Sequence, residues 1–376
     1  MNCVDSSEIF RSESPCLTET VISQPSWALV LETREEACVL KAVGYRENLP
    51  ITAEDALIDV EIPMPTPKSR ELLVSVKAVS VNPVDVKVRM GVSPKAGDVK
   101  ILGWDAVGIV KDVGKDVTLF REGDEVFYAG SITKPGTNCE VHLVDERIVG
   151  LKPRSLSAAQ AAALPLTTIT AWELLFDRLG VRPGKRPDTG SLLIIGGAGG
   201  VGSMLIQLAR RLTGLTVIAT ASRPETAAWC TDLGAHHVID HTKPLGQELK
   251  RISISNVEFV ASLQATDKHL PTIVQILKPQ GKFAVIDDPP TLDINPLNEK
   301  SISVHWEYMF TRPLFETEDM IAQHNLLNEV ASLLDAGVLR TTLRQHFGRL
   351  NAANLKKAHA LIESGRTIGK IVLEGF

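Results

Sequence analysis

The chain has few cysteines, few aromatic residues and no excess of positive charge. Its five cysteines, among 376 residues, are odd in number and widely spaced, and no two form a CxxC pair. Neither a disulfide framework nor a cysteine zinc cluster is predicted from such a pattern. We therefore expect free thiols and a protein of the reducing cytoplasm.

Positive charge and long apolar runs are also scarce. The formal net charge is -5 and no segment is dense in Lys or Arg, which argues against nucleic acid as a partner. No apolar run reaches the roughly 18 residues of a membrane-spanning helix, so no membrane partner is expected. Hydrophobic residues make up 44% of the chain, enough for a large core in two domains.

The first residues differ from the rest of the chain. Residues 1–40 are rich in Ser, Thr and Glu. They lack the basic start and apolar core of a secretory signal, and they are too acidic for a transit peptide. We expect a poorly ordered N-terminal extension.

The remaining sequence changes character twice. Short β-branched segments separated by Gly and Pro open it, followed by an Ala/Leu-rich helical stretch that Pro165 interrupts. Six short apolar strands then alternate with helices, which predicts an α/β protein with a Rossmann-like, doubly wound parallel sheet. We assign this sheet to residues 161–311, and a second, β-rich domain to residues 41–160 and 312–376.

A glycine-rich loop carries the strongest functional signal. In the segment LLIIGGAGGVG, Gly197, Gly199 and Gly202 match GxGxxG, and Gly200 and Val201 lie between the last two. An apolar strand precedes the motif and an apolar helix follows it, as in dinucleotide-binding folds. We expect Gly197 to permit a tight turn, Gly199 to let the backbone approach a pyrophosphate, and Gly202 to allow close packing. The alternative is a glycine-rich turn without a ligand.

The end of the next strand predicts which dinucleotide binds. Enzymes that use NAD usually carry an acidic residue there for the ribose hydroxyls. This chain has Ser222 and Arg223 instead. A guanidinium can pair with a 2′-phosphate, so NADPH is predicted. The alternative is that Arg223 is a solvated loop charge.

Several motifs together resemble a known family. AAALPLTTITAWELLF, GGAGGVGSMLIQLAR, ATASRPET, LGAHHVIDH, VNPVDVKVRMG and GKIVLEGF are similar to the quinone oxidoreductase branch of the medium-chain, zinc-type alcohol dehydrogenase superfamily. The resemblance covers residues 41–376 and is strongest to its zinc-type alcohol dehydrogenase-like group. It implies a GroES-like catalytic domain, a Rossmann domain, a cleft between them and a homodimer. It also implies that Thr168 approaches the nicotinamide or its ribose, and that Lys370 contacts the cofactor unless it is a surface charge.

The same resemblance argues against a metal. A catalytic zinc needs three protein ligands. Asn82 stands where the zinc branch has its first cysteine, Trp104 replaces the histidine, and the third region has no cysteine. Cys139 is alone near the place of a four-cysteine structural lobe. The resemblance therefore implies a metal-free protein, with a zinc-dependent alcohol dehydrogenase as the alternative.

The segment VNPVDVK, which the resemblance assigns to the cleft, contains the candidate catalytic residues Asn82, Asp85 and Lys87. In many quinone oxidoreductases a tyrosine occupies the position of Lys87, whereas related enone reductases carry a lysine. An ammonium there could stabilise an enolate, with Asp85 orienting or tuning it. The alternative is an ordinary surface pair.

These features predict an NADPH-dependent, metal-independent reductase of a small quinone or α,β-unsaturated carbonyl. A cofactor-binding sensor without significant catalysis remains the alternative from another class. The aromatic segment HWEYMFTRP after the last Rossmann strand fits a pocket lining, a dimer interface or core packing.

Overall fold

A computed structural model describes residues 39–186 and 190–376. The expected N-terminal extension, residues 1–40, lies outside the described residues except for its last two. Among the described residues, no helix is both long enough and apolar enough to cross a membrane.

The strands and helices alternate along the chain with the following bounds. The strands are β1 (Val39–Tyr45), β2 (Ile58–Pro63), β3 (Glu71–Val81), β4 (Lys100–Ile101), β5 (Asp105–Val113), β6 (Glu125–Tyr128), β7 (Val141–Asp145), β8 (Val149–Leu151), β9 (Ser191–Ile195), β10 (Thr216–Thr220), β11 (His237–Ile239), β12 (Val257–Ser262), β13 (Leu277–Val285), β14 (Ser303–Trp306), β15 (Leu343–His346) and β16 (Lys370–Glu374). The helices are α1 (Pro83–Gly91), α2 (Ala158–Ala162), α3 (Pro165–Trp172), α4 (Gly200–Leu212), α5 (Pro224–Asp232), α6 (Leu245–Arg251), α7 (Thr266–Ile276), α8 (Thr311–Phe315), α9 (Ala322–Asp335) and α10 (Ala352–Glu363).

The predicted Rossmann sheet is present. Its six strands are all parallel and lie in the order β11-β10-β9-β12-β13-β14. Every residue of β9 is buried, as expected for a central strand covered on both faces. The strand order reverses between β9 and β12, so the crevice at their carboxyl ends is where such sheets bind ligands.

The second domain is β-rich and uses both parts of the chain. A seven-stranded sheet has the order β15-β16-β3-β5-β6-β8, with β7 paired to β3, and a three-stranded sheet has the order β2-β1-β4. The pairing of β16 with β3 brings the end of the chain beside its early part. This architecture agrees with the predicted GroES-like domain, while the boundaries at residues 160 and 311 stay predictions.

The helical stretch between the two sheets is divided as predicted. Ser157 caps α2 through a 3.2 Å bond from the backbone N–H of Gln160 to its hydroxyl. Pro165 then opens α3, where the missing N–H costs nothing. Helix α3 packs against α4 of the Rossmann domain and against β5 of the other domain. Residues on α3 are thereby held at the junction between the two domains.

Candidate active site

The turn between β9 and α4 is built from glycines with different functions. Gly196 has a φ of 90°, in the left-handed region that favours glycine. The tight turn was expected at Gly197, which lies in this turn, but the left-handed conformation is taken by the residue before it. Gly197 is required for another reason, because a Cβ there would lie 2.8 Å from the Cβ of Ala219 on β10.

The other two glycines of the motif differ in their surroundings, since Gly202 is closely packed and Gly199 is open. A Cβ at Gly202 would lie 2.6 Å from the carbonyl oxygen of Gly197, which agrees with the predicted close packing. A Cβ at Gly199 would have only the carbonyl oxygen of Gly196 near it, at 3.7 Å. The open side adjoins the first residues of α4, Gly200 and Val201, where unpaired N–H groups suit an anionic ligand.

These two glycines give a matched pair of variants. We expect Gly202→Ala to lower the free energy of unfolding by about 1–3 kcal/mol, the usual cost of overpacking. Gly199→Ala should keep its stability but weaken binding of the NADPH that the sequence predicts about 10-fold, roughly the contribution of one hydrogen bond. Urea unfolding and fluorescence titration with NADPH measure the two effects. Equal stability of both variants would contradict the packing described for Gly202.

Ser222 and Arg223 lie in one groove with the glycine loop. The guanidinium of Arg223 donates to the carbonyl oxygen of Arg366 at 3.0 Å and lies 3.3 Å from the carboxylate of Glu225. These contacts hold the side chain, which is 29% exposed, at the rim of the groove rather than free in solvent. The groove is lined by Gly196, Ala198, Gly199, Thr220, Ala221, Ser222, Arg223, Thr226, His241, Gln264, Gly365 and Thr367.

Sequence reasoning missed part of this groove. His241 follows β11 and Gln264 follows β12, two Rossmann strands that β10 and β9 separate in the sheet. Gly365 and Thr367 precede β16 of the other domain. No short motif connects them, since only the fold brings these segments together.

Lys370 is buried at the start of β16, which excludes the alternative of a surface charge. Its ammonium donates to the carbonyl oxygen of Val81 at 3.1 Å, to Asp105 Oδ2 at 3.1 Å and to the side-chain oxygen of Asn82. All three donors of the ammonium are therefore engaged. A Cβ at Gly200 would lie 2.9 Å from Cδ of Lys370, so the lysine stem supports the glycine loop.

Asp105 is the centre of this buried cluster. Its carboxylate also accepts bonds from Ser80 Oγ at 2.6 Å, from Asn82 Nδ2 at 2.8 Å and from the backbone N–H of Leu166 at 2.7 Å. The last bond ties the start of α3 to β5. The sequence analysis did not propose Asp105, although it is the only acid that faces Lys370 among the described salt bridges.

Asp85 caps α1 rather than pairing with Lys87. Its carboxylate accepts the backbone N–H of Asn82 at 2.8 Å and is fully buried. Burial raises its pKa to about 7, against the smaller opposing effects of this bond and of the Lys370 charge. Asp85 and Lys87 therefore do not form the expected pair, either as an orienting contact or as a surface ion pair.

Lys87 instead contacts the other domain. Its ammonium lies 2.7 Å from the carboxylate of Asp288, in the segment that follows β13, and both side chains are more than half exposed. The ion pair therefore spans the cleft between the domains. Exposed pairs of this kind contribute little stability, so this one can open at small cost.

Thr168 lies on α3 with a buried side-chain hydroxyl. Among the described residues this hydroxyl has no hydrogen-bond partner. The preceding residue, Thr167, would be 2.8 Å from a Cβ at Gly200. The unpaired hydroxyl thus belongs to the segment that borders the glycine loop, and a buried polar group of this kind calls for a water or a ligand.

The residues in the cleft do not fit a zinc site. The Asn82 side chain is committed to Lys370 and Asp105, and the Trp104 indole, which is buried, is not a zinc ligand. Within residues 39–186 and 190–376, no three His, Cys, Asp or Glu side chains are grouped closely enough to hold a metal ion.

Two family models match the chain. A GroES-like alcohol dehydrogenase domain matches residues 68–163, and a zinc-binding dehydrogenase model matches residues 233–373. The zinc-type alcohol dehydrogenase-like protein of Staphylococcus aureus (strain MSSA476) is 40% identical over 336 residues, covering 89% of this chain and 99% of its own.

Solved structures agree with these matches. A protein from Rhizobium etli CFN 42, which carries the name of a zinc-dependent alcohol dehydrogenase, is 57% identical with a TM-score of 0.87, covering 90% of this chain and 98% of its own. Escherichia coli quinone oxidoreductase in complex with NADPH is 25% identical with a TM-score of 0.74, covering 89% and 99%. The chain therefore belongs to the medium-chain dehydrogenase/reductase family, in its zinc-type alcohol dehydrogenase-like group, whose members are nicotinamide-dependent oxidoreductases.

Proposed function

We propose that the protein is an NADPH-dependent, metal-independent reductase of a small quinone or α,β-unsaturated carbonyl. One observation carries the proposal: a groove with an arginine at its rim and an open glycine loop adjoins a cleft in which Asn82 and Trp104 replace zinc ligands. The NADPH complex of the similar Escherichia coli quinone oxidoreductase supports the choice of cofactor and acceptor.

Different residues of the groove bind different parts of the cofactor. We assign the pyrophosphate to the N–H groups that follow Gly199, at Gly200 and Val201, and the 2′-phosphate to Ser222 and Arg223. Thr168 then supplies its unpaired hydroxyl to the nicotinamide end. Lys370 contributes through the glycine loop that its stem supports, since its ammonium is engaged in the buried cluster.

Bound NADPH supplies the hydride, and the protein orients the acceptor and stabilises the charge that develops. Negative charge grows on the carbonyl oxygen, so nearby donors and cations lower the barrier. We propose that Lys87 places its ammonium at the cleft once the pair with Asp288 opens. Asn82, held by Asp105 and Lys370, and Asp85, which caps the helix that carries Lys87, keep this segment in position.

Removal of Arg223 tests the cofactor assignment. Arg223→Ala should lower kcat/KM for NADPH about 10- to 100-fold, the loss of a hydrogen bond to a charged group, and leave the value for NADH nearly unchanged. Arg121→Ala is the matched control, because the Arg121 side chain is 90% exposed and does not line the groove. A loss of the same size with both cofactors would refute the assignment to the 2′-phosphate.

We also propose a homodimer. Strand β14 pairs only with β13 within the described chain and so forms an edge of the parallel sheet. Trp306 and Tyr308, at the end of this edge, are 54% and 45% exposed, whereas Met309 and Phe310 are buried. The aromatic segment thus combines core packing with an exposed part that suits a second copy.

A further inference from the structure

The indole N–H of Trp104 is a buried donor without an acceptor. The side chain is 1% exposed, and Nε1 has no hydrogen-bond partner among the residues described. In contrast, Nε1 of Trp229 donates to the hydroxyl of Ser203 at 2.8 Å. Because burial of an unpaired donor is unfavourable, such a group in a native protein calls for a water or a ligand.

Trp104 lies where the two domains meet. It immediately precedes β5, next to Asp105 of the buried cluster. Its ring packs edge to face against Phe310, with centroids 6.0 Å apart, and Phe310 follows the last strand of the Rossmann sheet. One residue from each domain therefore forms this contact.

The donor edge of the indole borders a residue without a side chain. Cδ1, the ring atom bonded to Nε1, lies 3.9 Å from the place that a Cβ on Gly130 would occupy. Gly130 follows β6 and has a φ of 56°, in the left-handed region that favours glycine. Gly130 therefore places no side chain against this edge of the indole.

A series of aromatic rings connects the cleft surface to Trp104. Phe310 packs against Tyr308 with centroids 5.5 Å apart, and Tyr308 is partly exposed. Burial raises the pKa of Tyr308, and the negative charge of the nearby Asp288, the partner of Lys87, raises it further. Tyr308, Phe310 and Trp104 thus extend inward from the Lys87–Asp288 pair, and aromatic surfaces of this kind suit a flat conjugated ring.

We infer that Trp104 is a catalytic residue whose indole N–H donates a hydrogen bond to the carbonyl oxygen of the acceptor. The inference rests on the proposed function. Hydride from NADPH forms a new C–H bond on the acceptor and leaves NADP+, while the electron pair of the C=C bond moves toward the carbonyl oxygen. Solvent then supplies the proton that completes the reduction, and the indole keeps its own. A donor aimed at this oxygen stabilises the transition state more than the ground state.

Two variants of Trp104 separate the N–H from the ring. Trp104→Phe removes the donor and keeps an aromatic ring, whereas Trp104→Leu removes both. We measure kcat/KM for 2-cyclohexenone and para-benzoquinone, the Kd of NADPH, and the Kd of 2-cyclohexenone for the NADP+ complex. Thermal unfolding verifies that each variant is folded.

We expect Trp104→Phe to lower kcat/KM about 100-fold, the loss typical when one oxyanion donor is removed, with the Kd of NADPH within about twofold of wild type. Trp104→Leu should lower kcat/KM at least as much. Wild-type turnover in Trp104→Phe, with loss only in Trp104→Leu, would assign the effect to packing and overturn the inference. A wild-type protein that neither reduces nor binds either carbonyl would overturn the proposed function as well.

Discussion

Replacement of Asp105 with alanine is expected to lower the free energy of unfolding by about 3–5 kcal/mol, the usual cost of leaving a buried charge without its partner. Lys370 is 3% exposed and would keep its ammonium in the interior after the substitution. The substitution also leaves the Asn82 amide, the Ser80 hydroxyl and the Leu166 N–H without their shared acceptor. Urea unfolding at pH 7 measures the effect.

A second variant shows whether the unpaired charge of Lys370 causes the loss of stability. Asp105→Asn combined with Lys370→Met removes both charges and keeps a polar side chain of similar size at position 105. We expect this double variant to be less destabilised than the sum of its single variants, because the two residues are in contact. Additive losses would show that Asp105 and Lys370 stabilise the fold independently, contrary to our description of the cluster.

Asp85 is expected to make stability depend on pH. Its pKa is about 7 in the folded protein against the ordinary 3.8, so the folded state holds the proton more tightly. The stabilisation is complete below pH 3.8 and is lost as the pH rises through 7. At about 1.4 kcal/mol for each pKa unit, the loss between pH 4 and pH 8 is roughly 4 kcal/mol.

The matched variant is Asp85→Asn, which is neutral throughout and whose oxygen can still accept the N–H of Asn82. Between pH 4 and pH 8 the free energy of unfolding of the wild type should fall by roughly 4 kcal/mol more than that of this variant, because only the wild type loses the Asp85 proton. Urea unfolding at both pH values gives the difference. Parallel pH profiles for the two proteins would mean that Asp85 has the same pKa in the folded and unfolded states, so that burial does not raise it.

The sequence predicted best those features that a short segment encodes by itself. The strand, glycine loop and helix around residues 192–212 follow one another in the chain, so local spacing was sufficient to find them. The exception within this segment was Gly196, because GxGxxG does not say which adjacent glycine takes the left-handed conformation.

Contacts between distant segments were not predictable in the same way. Asp105 and Lys370 are joined across 265 residues, and Lys87 and Asp288 across 201. The expected pairing of Asp85 with Lys87 could have been rejected from the local sequence, because residues two apart on a helix do not face each other. Recognition of α1 from Pro83 at its first position would have separated them. Trp104 was considered only as a missing metal ligand, and its unpaired N–H became visible only in three dimensions.

The most direct test of the proposed function is NADPH oxidation by the metal-depleted protein, with NADH as the comparison and a quinone, an enone and a simple aldehyde as acceptors. We predict turnover that prefers NADPH and that proceeds with the quinone or the enone in the absence of metal. Activity that returns only when zinc is restored, or that occurs only with NADH, would contradict the account.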